Sequence, residues 1–253
     1  MARTFLTAEW RNLIIVSYHV PAELLAPHLP AGLELDEIGG APTVSLVAFE
    51  FLNTRVKGVR WPGFVNFPEW NLRFYVRSRP TGGTGGSSAR GVESATPVNP
   101  ERGVVFIREF VPSRLIAGIA KGLYNEPYSA APFRQQSDQR FGQFRQSYTV
   151  TLAGRDHTLD ATAADRLITP EPGSLAHLLK EHRWGFGRTR AGKTLRYEVE
   201  HPVWRIHETA RCRVDVDWVR LYGPEWGVMQ DREPFSVVLA EGSAISVASA
   251  APL

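Results

Sequence analysis

Residues 103–133 read GVVFIREFVPSRLIAGIAKGLYNEPYSAAPF. The run opens as a strand, because Val104, Phe106, Arg108 and Phe110 alternate with Val105, Ile107 and Glu109 at period two. Pro112 then opens a helix, where its missing N–H costs nothing. Leu115, Ile116, Ile119, Ala120, Leu123 and Tyr124 recur at helical spacing and predict one apolar stripe. Pro127 ends the helix, since the residue before a proline avoids the α region. The chain therefore leaves the helix with Tyr124, Glu126 and Tyr128 close together on a stiff turn. Glu126 and Tyr128 alternate along the extended exit, so both are expected to face one cavity. A helix C-terminus disfavours a nearby carboxylate, so Glu126 needs a proton or a cation, and Arg108 is the expected partner.

Outward from this stretch the chain reads as strands. Residues 11–20 and 43–52 are apolar on both parities, the pattern of strands buried on both faces. Residues 71–79 alternate, with Leu72, Phe74 and Val76 expected inward and Arg73, Tyr75 and Arg77 opposite. Residues 80–102 are rich in Gly, Ser and Pro and predict a flexible insertion. Downstream, 134–152 predicts strand with a polar turn, 154–172 reads as irregular, and Ser174 caps a short helix. Ala191-Gly192 marks a hairpin, and 211–221 and 235–247 are the last predicted strands. Many strands with few short helices predict a mainly β fold: an antiparallel sheet closed or nearly closed on itself, in a single domain spanning 1–253.

Composition narrows the function classes. The net charge is +3 with acids and bases intermixed, so nothing resembles a nucleic-acid-binding face. Cys212 is the only cysteine, which excludes a disulfide framework; its parity with Val214, Val216 and Trp218 predicts a small buried hydrophobe. No apolar run is long enough for a leader or a membrane span, so the expected location is the cytoplasm, with no membrane partner. No Gly-x-Ser-x-Gly elbow or His-Glu-x-x-His pattern is present. His177 and His182 are spaced five apart, off one helix face, and His201 and His207 read as structural. No metal or other cofactor is expected. Arg11, Glu69, Arg108, Glu109 and Glu126 interrupt apolar strands or sit at their ends. Buried charge must be paired, so these residues form either a structural ion-pair network or the polar lining of a pocket. Residue types alone leave both open.

The chain also resembles a known group. Trp10-Arg11-Asn12, Tyr18 and the run from Leu24 to Leu35 resemble the N-terminal signature of the acetoacetate decarboxylase-like superfamily. Pro68-Glu69-Trp70-Asn71, Phe106-Ile107-Arg108-Glu109, Leu123 to Tyr128, Glu200 to Arg205 and Val238 to Ser243 extend the resemblance in order to a YqjF-like bacterial family within it. The resemblance implies a β-barrel assembly with short helices outside and a central pocket. In the decarboxylase a lysine forms a Schiff base with a β-keto acid, a neighbouring lysine lowers its pKa, and an arginine and two glutamates line the pocket. Arg11 falls on that arginine, Glu69 on one glutamate and Ser45 on the other. Tyr128 and Ser129 fall on the lysine pair. A phenol cannot form an imine, so the mechanism does not carry over, and Lys121, two helical turns earlier, is expected on the solvent side.

Two functions follow. One is a protein that binds a small organic acid or keto compound, as a monomer or homo-oligomer. The other is an enzyme of changed chemistry, in which Tyr128, Glu126 and Glu69 move protons while Arg11, Ser45, Arg108 and Tyr124 hold substrate. A structural globule with no ligand is the third reading, and a packed interior would be its signature.

Overall fold

The computed structural model describes residues 4–79, 100–118 and 127–253. Its strands, in chain order, are β1 (Thr4–His19), β2 (Leu33–Leu35), β3 (Thr43–Val56), β4 (Phe67–Ser78), β5 (Arg102–Val111), β6 (Tyr128–Ala130), β7 (Phe133–Arg140) and β8 (Gln143–Leu152). They continue as β9 (Arg155–Ala164), β10 (Leu167–Ile168), β11 (Trp184–Arg188), β12 (Thr194–Glu200), β13 (Ile206–His207), β14 (Arg211–Asp215), β15 (Ser236–Ala248) and β16 (Ala251–Pro252). The large sheet runs β15-β1-β3-β4-β5-β11-β12, and β12 pairs back onto β15, so these strands close a ring. Most neighbours are antiparallel, but β5 runs parallel to both β11 and β6. A second sheet, ordered β14-β9-β8-β7, covers one face of the first.

The long strands are buried on both sides, as their unbroken apolar runs require. On one side Ile14, Val16, Leu46, Leu72, Phe74 and Phe110 pack against Tyr148, Val150, Leu159 and Trp218. On the other, Leu13, Ile15, Val47, Phe49 and Phe51 meet Tyr197, Trp204 and Val238. Two irregularities set which residue faces where. Asn12 has a left-handed φ of 55°, and the β1–β3 register slips between Arg11 and Ile14. Trp10 and Leu13 thereby share one face, with Arg11 on the other. Gly242 sits opposite at φ 78°, where a Cβ would lie 1.9 Å from the Trp10 carbonyl oxygen, so only glycine fits the crossing. In β5 the register against β4 skips Ile107, which puts Phe106 and Glu109 on the same side.

Several expectations change. Residues 154–172 are not irregular: β9 supplies ten of them, and its alternating buried His157, Leu159, Ala161 and Ala163 were masked by small and polar types. Residues 211–221 end as a helix, Trp218–Tyr222, with Asp217 accepting from the Arg220 N–H. Residues 114–118 are helical, but Leu115 is exposed while Ile116 and Ala117 are buried. Lys121, Tyr124, Glu126 and most of the 80–102 insertion lie outside the described residues. Cys212 is partly buried and burial pushes its thiol up to about 12, so it is inert as a nucleophile.

Candidate functional site

A cavity of about 590 Å³ opens on the Trp10–Phe49–Phe51 side of the ring. Its walls are mostly apolar, and its polar groups gather along β4, β5, β6 and the helix Leu175–Lys180. Alternation along β4 sends Glu69, Asn71 and Arg73 to the cavity and Trp70, Leu72 and Phe74 to the packed core. Asn71 pairs in register with Glu109 of β5, and Glu109 pairs with Tyr128 of β6. Three adjacent strands thus bring these side chains together.

At the centre is Glu69, 3% exposed. The Tyr128 hydroxyl donates to its Oε2 at 2.9 Å, and Asn71 Nδ2 donates to its Oε1 at 3.0 Å. Burial raises its pKa to about 7, against the pull of Asn71, Tyr128, a hydrogen bond with Glu109 and the Arg73 charge. Burial thus favours the neutral form of Glu69, which shares a hydrogen bond with the equally buried Glu109.

Arg73 is buried beside it. Its Nη2 donates to the Leu179 carbonyl oxygen at 3.1 Å, at the C-terminal end of the helix Leu175–Lys180, where a cation is favoured. Its Nε and the Asn71 Oδ1 are both buried and have no hydrogen-bond partner among the described residues. Arg73 forms no salt bridge with a described carboxylate. Lys180, with its side chain fully buried, donates to Glu181 and lies 5.9 Å from the centre of the Trp204 ring. Burial lowers its pKa and Glu181 opposes the shift. His182 packs on Tyr75, with ring centroids 4.9 Å apart; burial and then the Arg73 and Arg102 charges hold it well below its usual value. His201 stacks on Trp204 at 4.2 Å and is lowered by burial too, so both imidazoles are neutral at pH 7.

Of the residues singled out from sequence, Glu69 and Tyr128 meet at the cavity, with Glu109 between their strands. Arg11 does not reach it. Strand alternation turns Arg11 away from Trp10, and its guanidinium bonds Glu9 at 2.7 Å on the half-exposed outer face. Arg73 is the arginine beside Glu69. Ser45 shares the cavity face of β3 but does not border the cavity; its hydroxyl lies 2.7 Å from that of Ser17 and 2.5 Å from that of Tyr75. Arg108 faces the other core, donates to the Leu221 carbonyl oxygen at 2.6 Å and stacks over Phe110. Tyr124 and Glu126 lie outside the described residues. Asn71, Arg73 and Lys180 carry no site expectation from sequence, and His182 and His201 read there as off one helix face and as structural. The signal for the first two was present, since Glu69, Asn71 and Arg73 share one parity in a strand whose other parity is wholly apolar. Among the described residues no three His, Cys, Asp or Glu side chains are grouped to hold a metal, and no helix is long and apolar enough to cross a membrane.

The architecture has solved counterparts. The acetoacetate decarboxylase of Legionella pneumophila superposes with a TM-score of 0.61 at 14% identity, over 98% of this chain and 87% of that one. The enduracididine biosynthesis enzyme MppR complexed with pyruvate gives 0.61 at 12% identity, over 100% and 91%. An acetoacetate decarboxylase-like enzyme from Sphingomonas wittichii RW1 gives 0.61 at 13% identity, over 99% and 93%. None of the curated proteins matches the chain. The fold is thus of the acetoacetate decarboxylase-like class. Within that class the chain belongs to the family DUF2071, described as "Uncharacterized conserved protein (COG2071)", whose profile matches residues 7–244.

Proposed function

We propose that this protein binds a small organic acid or keto compound in the cavity, without an imine at position 128. The observation that carries this reading is the convergence of Tyr128 and Asn71 on the buried Glu69 carboxyl, beside an arginine whose Nε has no hydrogen-bond partner among the described residues. Buried polar groups cost stability unless they are paired, and a ligand oxygen offers the missing pairing. Arg73, and not Arg11, is the arginine that lies beside Glu69 on the cavity face. A space of about 590 Å³ also argues against a globule with a packed interior.

The enzymatic reading keeps one specific support. Glu69, with a pKa of about 7, is matched to proton transfer at neutral pH, and Tyr128 lies within hydrogen-bond reach of it. Turnover of β-keto, α-keto or hydroxy acids, followed by proton NMR, distinguishes an enzyme from a binder.

Tyr128→Phe tests the site itself. Removing one hydroxyl costs about 0.5–1.5 kcal/mol of stability. Affinity for an acid found by thermal-shift screening should fall about tenfold. Unchanged affinity would remove Tyr128 from the site.

A further inference from the structure

We infer that the cavity takes an amphiphilic acid: a polar head bearing both an oxygen acceptor and a hydroxyl donor, joined to an apolar body of aromatic size. The inference rests on the binding role proposed above and names the ligand class.

The head follows from two neighbouring orphans on β4, set apart from others on the cavity lining such as Trp10 Nε1 and Thr54 Oγ1. Arg73 Nε is a donor and Asn71 Oδ1 an acceptor, on residues 8% and 1% exposed, neither with a partner among the described residues. They are two residues apart on β4, on the same face. The Asn71 amide is oriented by its donation to Glu69, which leaves Oδ1 as the free acceptor. A plain carboxylate satisfies Arg73 and leaves Asn71 unmet. A hydroxy acid, or a keto acid in its enol form, satisfies both.

The body follows from the walls. At about 30 Å³ per water, the cavity holds roughly 20 waters, so a three-carbon acid would displace only a few of them. Away from the polar groups on β4, β5, β6 and around Lys180, the surface is mostly apolar, with Trp10, Phe49, Phe51, Phe106, Tyr197 and Trp204 its largest side chains. Trp10 makes edge contacts with Phe49, Phe51 and Trp204 at centroid distances of 5.3, 5.8 and 6.0 Å, so this wall is fixed before any ligand arrives. Water gains little against such a surface, and a ring or branched chain gains its full apolar burial.

A matched series on the full chain tests this by calorimetry. Lactate and 3-phenyllactate share the head; 3-phenylpropionate keeps the body and loses the hydroxyl. We expect 3-phenyllactate to bind about ten- to a hundredfold tighter than lactate. It should bind about three- to tenfold tighter than 3-phenylpropionate. In Asn71→Leu the second difference should vanish while the first remains. Equal affinity for lactate and 3-phenyllactate would overturn the apolar body and leave the binding role standing. Equal affinity of the two phenyl acids for the unaltered chain would overturn the donor in the head. Binding of none of the three at millimolar concentration would end both the inference and the reading beneath it.

Discussion

The two faces of β4 differ in kind although they belong to one strand. Trp70, Leu72, Phe74 and Val76 are fully buried against the second sheet, and even the Trp70 indole N–H is satisfied, donating to the Tyr222 hydroxyl at 2.9 Å. One residue along at each step, Glu69, Asn71 and Arg73 are almost as buried, yet they border open space and retain unmet hydrogen-bonding groups. Burial alone therefore does not separate core from site. Along β4 polar satisfaction does: its packed face pairs the one polar side-chain atom it carries, and its cavity face leaves two unmet.

The largest effect that tests this contrast is a pair of identical truncations. Phe74→Ala, in the packed core, should cost about 3–5 kcal/mol in denaturant unfolding. Phe51→Ala, on the cavity wall, should cost less by about 1 kcal/mol or more, because one side of that ring already lacks packed neighbours. Equal costs would mean that the cavity face is packed like the other, and the contrast would fail.

A comparable effect comes from Glu69. Its pKa in the folded chain, about 7, lies above its ordinary 4.5, so the folded state holds the proton longer than the unfolded state does. Stability from this group is therefore full below pH about 4.5 and declines as pH rises through 7. The whole decline is about 3 kcal/mol. Glu69→Gln cannot ionise and should lose this component of the pH profile, giving a flatter stability curve between pH 4.5 and 7.5. Parallel curves for the two proteins would show that Glu69 is ionised throughout, as a paired structural carboxylate would be.

The same contrast explains what was legible in the sequence. The strand content, the short helices and the capping by Ser174 follow from period and cap chemistry, which are local. That Glu69 and Tyr128 share a pocket is implied only by the family resemblance, because nothing local in the sequence pairs β4 with the segment after Pro127. Arg11 was misplaced because one left-handed residue, Asn12, and one slipped register decide its face, and neither shows in residue types. Arg73 is hidden in the sequence because alternation reads as core against solvent, whereas the second face of β4 is a cavity wall. Lys180 and His201 come from segments over a hundred residues downstream of β4, and only ring closure through β11 and β12 brings them to the same space.

The smallest expected effect is none at all, and it bears on reactivity. Two described lysines border the cavity, Lys57 at an exposed position and Lys180 with a buried side chain. An imine needs a neutral amine free to attack a carbonyl carbon. Burial lowers the Lys180 pKa, which favours that form, but its Nζ is held in an ion pair with Glu181. Glu181 is itself engaged, accepting from the Trp204 N–H at 3.3 Å and lying 3.7 Å from His201. Neutralising Lys180 would strip the cation from a largely buried carboxylate whose neighbouring imidazole is uncharged, which is costly. Borohydride with acetoacetate or pyruvate at pH 7 should therefore leave the intact mass unchanged. Glu181→Gln removes the counter-charge and should let the Lys180 pKa fall further, so the variant is the sterner trial. An adduct mapped to Lys180 in the unaltered protein would show that the ion pair does not restrain the amine, and the cavity face of the sheet would then be reactive as well as receptive.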